Sequence, residues 1–171
     1  MRTGLRTAFL FGLMMIFLTG CPNGGGSNKP TVQVVVPSAA GSVASGNPFT
    51  VTIDVKNVGQ TFYAAFDVIY DETVIQFVDA TEGGFLNRDG ADGTFFDASL
   101  ENGQPGRLAV GMTRVGPAGT VSGSGTLLTL TFKGITPGTS AIGFSDPKAL
   151  RNDANADVEV KSWVDGEITV D

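Results

Sequence analysis

Histidine is absent from this sequence, and cysteine occurs only once, at Cys21. Without histidine the chain cannot form Ser-His-Asp or Cys-His catalytic groups or metal sites built on imidazole. A single cysteine cannot form an intramolecular disulfide. Paired carboxylates remain, for example Asp71 and Glu72, but neighbours on a strand end point apart instead of facing each other across a cleft. We therefore predict that the protein is not an enzyme, and we expect no cofactor.

Basic residues are also scarce. The chain has 11 Lys and Arg against 17 Asp and Glu, a net charge of −6 at pH 7. Binding to nucleic acid depends on a basic surface that neutralises phosphates. The acidic balance therefore excludes nucleic acid as an expected partner.

The N-terminus carries an export pattern. Arg2 and Arg6 precede an apolar run over residues 8–18. A run of about 11 residues suits the hydrophobic part of a secretory signal peptide and is too short to span a bilayer. We therefore predict a signal peptide over residues 1–20.

Cys21 follows this run directly, in Leu18-Thr19-Gly20-Cys21. These residues resemble the bacterial lipobox, whose cysteine is acylated and becomes the first residue of the mature protein. The alternative is an ordinary signal peptide with an unrelated cysteine. We predict a lipidated Cys21 and a flexible, Gly- and Asn-rich tether over residues 21–30. The protein is then expected to be an exported lipoprotein, at the outer membrane or cell surface rather than the inner membrane.

The remaining residues, 31–171, are predicted to form short β-strands separated by turns rich in Gly and Pro. Apolar and polar residues alternate over residues 49–58 and again over 63–70, which is typical of half-buried strands. No amphipathic helix of useful length is present. The pattern predicts an all-β fold: a nine-stranded, two-sheet sandwich of jelly-roll topology. The nine predicted strand segments are 29–37, 49–58, 62–71, 75–78, 93–100, 107–115, 126–135, 139–146 and 166–170. A loop is expected over 116–125, and the segment 149–163 contains a polar stretch with the composition of a hairpin loop.

The order of several short landmarks in this region resembles a cohesin domain. The landmarks are Tyr70-Asp71 at the end of an aromatic-rich strand, the apolar strand 74–78, Gly83-Gly84-Phe85-Leu86, "GRLAVGMTRV" and the closing "WVDGEITV". The resemblance covers residues 31–171. It implies a nine-stranded jelly-roll sandwich that binds dockerin modules through one open sheet face. It also implies a fold shared with certain carbohydrate-binding modules.

The resemblance also implies which residues form the docking face. Cohesins carry Asn and Asp on the strand before Tyr-Asp to bond a dockerin Ser or Thr, and Tyr63 and Ala65 hold those positions here. Outward-facing apolar residues on a strand of an acidic protein indicate an interaction surface, and Tyr63 is the predicted aromatic anchor of that surface. A different protein partner and a polysaccharide remain alternatives. The predicted face comprises Tyr63, Ala65, Asp67, Ile69, Ala109, Gly111, Leu127, Thr129 and Thr131.

Two acidic segments are candidates for calcium. Asp153, Asn155 and Asp157 have the spacing that opens an EF-hand loop, but Val158 replaces the glycine and Val164 replaces the final glutamate of that motif. A second, glycine-rich segment contains Asp89 and Asp92. Both segments also have the composition of ordinary turns, so our principal expectation is that no metal binds.

Overall fold

The computed structural model describes residues 29–36, 42–90 and 93–171. The predicted signal peptide, Cys21 and the tether up to residue 28 lie outside these residues. No helix in the described part of the chain is long and apolar enough to cross a membrane. The described residues contain ten strands: β1 (Thr31–Val35), β2 (Pro48–Thr61), β3 (Tyr63–Tyr70), β4 (Ile75–Glu82), β5 (Thr94–Leu100), β6 (Arg107–Arg114), β7 (Val121–Gly134), β8 (Gly138–Arg151), β9 (Ser162–Val164) and β10 (Gly166–Val170).

The strands form two five-stranded sheets that pack face to face. The first sheet has the order β4-β7-β2-β1-β9 and the second has the order β10-β8-β3-β6-β5. Alternation places one side of each strand in the core, as in β6, where Leu108, Val110 and Met112 are buried. The prediction of an all-β, two-sheet sandwich is confirmed, with ten strands instead of nine.

Aromatic side chains join the two sheets. Phe132 on β7 lies in contact with Tyr70 on β3, with ring centroids 5.1 Å apart. Trp163 on β9 packs edge-on against Phe66 and Phe144 of the opposite sheet, at 5.7 and 5.0 Å. Edge-to-face pairs at these separations are favourable beyond the area that they bury. The sandwich therefore has one core shared by both sheets.

Residues 149–163 are divided between the end of one strand, a turn and a short second strand. Strand β8 continues without a break to Arg151, residues 152–161 form a turn and irregular chain, and only residues 162–164 return to a sheet. The Asn152 side chain causes the reversal, because its Oδ1 accepts hydrogen bonds from the backbone N–H groups of Ala154 and Ala156 at 3.0 and 2.9 Å. Such Asn-centred turns compete with strand pairing.

The predicted loop over residues 116–125 is wrong in its second half, because β7 already begins at Val121. A β-bulge interrupts the pairing of β7 with β2: Ile53 lies opposite Leu128, and Asp54 lies opposite Thr126. Leu127 is the extra residue. A bulge shifts the alternation by one position, so both Leu127 and Leu128 are buried.

The glycine-rich segment after β4 closes one end of the core. The Gly83 N–H donates to the carbonyl of Leu127 at 2.7 Å, and the Phe85 N–H donates to that of Thr126 at 3.0 Å. Phe85 and Leu86 are each 1% exposed. The chain therefore uses this segment to cover the core beside the bulge in β7.

The turn between β3 and β4 depends on Asp71. Its Oδ1 accepts hydrogen bonds from the backbone N–H and the hydroxyl of Thr73, at 2.9 and 2.6 Å. These bonds favour the ionised carboxylate and lower the pKa of Asp71. Tyr70, the preceding residue, points into the core, where burial raises the pKa of its hydroxyl. The Tyr-Asp pair is therefore a structural element of this turn.

The N-terminal side of the domain lies beside the segment between β8 and β9. Strand β1 pairs in parallel with β9, with Thr31 opposite Ser162 and Val32 opposite Trp163. The Lys161 N–H also donates to the carbonyl of Pro30 at 2.8 Å. The chain thus enters the sandwich next to residues 152–161.

Candidate docking face

The outer face of the second sheet is built around β3. Tyr63, Ala65, Asp67 and Ile69 alternate with buried residues and point away from the core. Strand β6 lies beside them, with Gly111 opposite Ala65, Ala109 opposite Asp67 and Arg107 opposite Ile69. The chosen residues of β3 and β6 therefore lie side by side on one face of the sheet.

The middle of this face is recessed because its side chains are small. Ala149 of β8, Ala65 of β3 and Gly111 of β6 lie in one row across three strands. Ala109 lies in the next row, opposite Asp67. A floor of Ala and Gly lets the backbone or a helix of a partner approach closely.

Larger apolar side chains stand at the two ends of this floor. Ile69 is 42% exposed at the end of β3. Phe95 on the edge strand β5 is 61% exposed. It lies opposite Thr113 of β6, which in turn lies opposite Tyr63 of β3. Exposed apolar side chains grouped around a flat floor are typical of protein interaction surfaces.

Charged side chains also lie on this face: Arg107 contacts both Asp67 and Glu101. Asp97 of β5 lies opposite Gly111, and Arg151 of β8 lies opposite Tyr63. The Nε of Arg107 donates to Oδ2 of Asp67 at 2.8 Å and lies 3.0 Å from Oε2 of Glu101. The hydrogen bond to Asp67 raises the pKa of the Arg107 guanidinium further. The side chains of Arg107 and Asp67 are only 26% and 15% exposed, so a partner that covers the face would bury the pair.

The prediction that Leu127, Thr129 and Thr131 belong to this face is wrong. All three lie on β7, which is in the other sheet. Leu127 is fully buried at the bulge. Thr129 and Thr131 are half-buried on the outer face of the first sheet, opposite Thr52 and Thr50 of β2. Alternation identified outward residues of β7 but could not show which sheet the strand joins.

A groove of about 880 Å³ lies beside the docking face. It shares Tyr63, Ala65 and Ala149 with that face and extends toward residues 152–160 and Trp163. It exists because β8 leaves its register with β3: Ala149 lies opposite Ala65, but Ser145 lies opposite Asp67, so residues 146–148 protrude.

Three of the calcium candidates are bonded to arginine side chains. Oδ1 of Asn155 accepts a hydrogen bond from Arg151 at 3.0 Å, and Oδ1 of Asp157 lies 3.3 Å from Nε of the same guanidinium. Both carboxylate oxygens of Asp89 accept hydrogen bonds from Arg114. Within the described ranges, no three His, Cys, Asp or Glu side chains are grouped to hold a metal ion. Asp92 lies outside the described residues, and Asp153 is exposed.

Sequence reasoning missed two contributors to the face. Phe95 was assigned to a strand but not to the docking face, although its neighbour Phe96 is half-buried and alternation would place Phe95 outward. Arg107 was not included in the predicted face, and its pairing with Asp67 depends on cross-strand register, which one sequence does not reveal.

Comparisons with known proteins agree with this architecture. The cohesin-domain family matches residues 32–170 of the chain. A non-cellulosomal cohesin from the archaeon Archaeoglobus fulgidus is 16% identical, with a TM-score of 0.65 over 84% of this chain and 91% of that one. A type II cohesin from the cellulosome of Acetivibrio cellulolyticus is 21% identical, with a TM-score of 0.66 over 82% and 95% of the two chains.

The sixth cohesin of scaffoldin B from the same bacterium, solved in complex with a dockerin, is 16% identical. Its TM-score is 0.67 over 84% of this chain and 99% of that one. No curated protein matches the sequence. Because the family match spans most of its length, the chain belongs to the cohesin family.

Proposed function

We propose that this domain is a non-catalytic docking module that binds a dockerin-like protein through the outer face of the β10-β8-β3-β6-β5 sheet. The observation that carries this proposal is the low floor of Ala and Gly residues between the exposed side chains of Ile69 and Phe95. Similar cohesins were solved in complex with dockerins, which supports the same class of partner here.

The polar contacts of this interface differ from those that the family implies. Tyr63 and Ala65 stand where cohesins carry Asn and Asp, so a dockerin Ser or Thr would lose its usual acceptors there. On the proposed face the charged side chains in line with Tyr63 and Ala65 are those of Arg151 and Asp97. The partner is therefore expected to place hydrogen-bonding groups against Arg151 and Asp97, because leaving a buried charge uncompensated is costly.

The central test replaces Ile69 by lysine. Ile69→Lys puts a charge into the apolar part of the face, and we expect at least about 30-fold weaker binding, the size of a hot-spot loss. Binding is measured by calorimetry with purified dockerin-containing proteins of the source organism. Val78→Lys is the matched control, because Val78 is 54% exposed on β4 of the opposite sheet.

Equal effects of the two substitutions would show that this face is not the docking surface. Absence of binding to every dockerin, by a folded domain, would overturn the dockerin-like partner itself. Circular dichroism of each variant establishes folding, and both positions are exposed enough for lysine to reach water.

We also propose that the domain is held at a membrane surface by lipid on Cys21. The support is the apolar run of residues 8–18 followed at once by Leu18-Thr19-Gly20-Cys21. Two or more acyl chains give stable anchoring, whereas one chain binds only marginally. A docking module anchored in this way would recruit its partner to the outer membrane or cell surface, as part of a polysaccharide-degrading assembly.

A further inference from the structure

We propose that the groove beside the docking face binds a neutral oligosaccharide. This site is separate in chemistry from the docking face, although Tyr63 and Ala65 border both. Its volume of about 880 Å³ lies within the range of small-molecule sites. The proposal depends on three properties of the lining: its aromatic rings, its balance of charge and its fixed loop.

Aromatic and polar groups converge in the groove. Trp163 and Tyr63 line it from two different sheets, and Val158 and Val160 add apolar surface. Asn152, Asp153 and Asn155 supply amide and carboxylate groups at the rim. A saccharide offers both C–H surface for rings and hydroxyl groups for donors and acceptors, so this combination suits it better than a purely apolar ligand.

The charges of the lining are largely paired with each other. Nζ of Lys148 lies 3.1 Å from Oδ1 of Asp146, and Nε of Arg151 lies 3.3 Å from Oδ1 of Asp157. Asp153 is the remaining lining charge, and its carboxylate has no bonding partner among the described residues. A lining with so little unpaired charge favours a neutral ligand over a phosphate or another ion, which would need an excess of one sign.

The polar rim is held in place before any ligand arrives. Oδ1 of Asn152 accepts hydrogen bonds from two backbone N–H groups of its own turn, and Arg151 donates to Asn155 at 3.0 Å. The Val158 N–H donates to the carbonyl of Leu150 at 2.8 Å and ties the segment to β8. Preorganisation of this kind lowers the entropic cost of binding.

Trp163 gives the experiment a direct readout, because it is the only tryptophan of the chain and it lines the groove. The purified full chain is titrated with cellohexaose, xylohexaose, mannohexaose and N-acetylchitohexaose while its fluorescence is recorded. We expect a saturable change with at least one of them, with a dissociation constant of about 1 mM or lower. A galacturonate hexamer and a chitosan hexamer, of opposite charges, serve as comparison ligands.

Asp153→Ala removes the unpaired carboxylate and should weaken the binding at least about fivefold, a typical effect of one lost hydrogen bond. Asp79→Ala is the matched control, since Asp79 is exposed on β4 of the opposite sheet. No response to any neutral hexamer, a response only to a charged hexamer, or equal effects of the two substitutions would overturn the proposal.

Ile69→Lys separates this proposal from dockerin docking, because Ile69 does not line the groove. We expect this variant to keep its saccharide titration unchanged while dockerin binding weakens. Loss of the saccharide titration by the folded Ile69→Lys protein would contradict a separate groove site, whatever happens to dockerin binding.

Discussion

Arg114 carries a positive charge into the interior of the sandwich, with a side chain only 1% exposed. It donates to the carbonyl of Leu86 and makes two hydrogen bonds to Asp89, at 3.0 and 2.7 Å. A buried charge is tolerated only with such partners. Arg114 thus ties β6 to the segment that follows β4, a role that the alternating pattern of "RLAVGMTRV" did not indicate.

Replacing Arg114 by methionine is expected to lower the free energy of unfolding by about 3 kcal/mol, because a buried carbonyl and a carboxylate lose a charged donor. Urea denaturation followed by circular dichroism measures the change. Arg88→Met is the control: Arg88 also donates to two carbonyls, those of Ser122 and Ser124, but it is exposed. If Arg88→Met lowers the free energy of unfolding as much as Arg114→Met does, burial of the arginine is not the cause of the destabilisation.

Strands were predictable from the sequence wherever alternation is unbroken. Phe66 and Val68 of β3 were correctly placed in the core because every second residue of that strand is apolar. The failures occur where alternation breaks, at the bulge that buries Leu127 and at residues 146–148, beyond which β8 continues to Arg151. The membership of β7 in the first sheet depends on long-range pairing, which no local pattern encodes.

Gly83 and Gly84, in the glycine-rich segment after β4, are expected to differ in their tolerance of a side chain. A Cβ on Gly83 would lie 2.2 Å from the carbonyl oxygen of Thr126, whereas a Cβ on Gly84 would meet no atom within 4 Å. Gly83→Ala is therefore expected to cost about 2 kcal/mol or more through displaced backbone, and Gly84→Ala little. Thermal unfolding of both variants tests this. Similar melting temperatures would contradict the close approach.

At the scale of the molecule, the family match confirms that the domain is not an enzyme, because cohesin domains are non-catalytic interaction modules. This agrees with the absence of histidine from the whole sequence. Family membership could be recognised from the order of the landmarks. The composition of the docking face could be recognised only in part, because its four contributing strands, β8, β3, β6 and β5, are brought together by pairings distant in sequence.

The whole-molecule prediction concerns the mature N-terminus. Mass spectrometry of the protein purified from its native membrane should show a chain that begins at Cys21 and carries the added mass of acyl groups. Cys21→Ser should release the protein from the membrane fraction, because it removes the acylation site. An unacylated N-terminus at any other residue would contradict the anchor.

The hydrogen bond from Lys161 to the carbonyl of Pro30 places the start of the sandwich beside the segment that lines the groove. With lipid on Cys21, only eight residues, 22–29, would lie between the anchor and Pro30. In a protein anchored at Cys21, the end of the sandwich that holds the groove would then lie nearer to the lipid headgroups than the opposite end. Glycans of the cell's own envelope would be the saccharides nearest to the groove. The Ile69 end of the docking face would face away from the membrane.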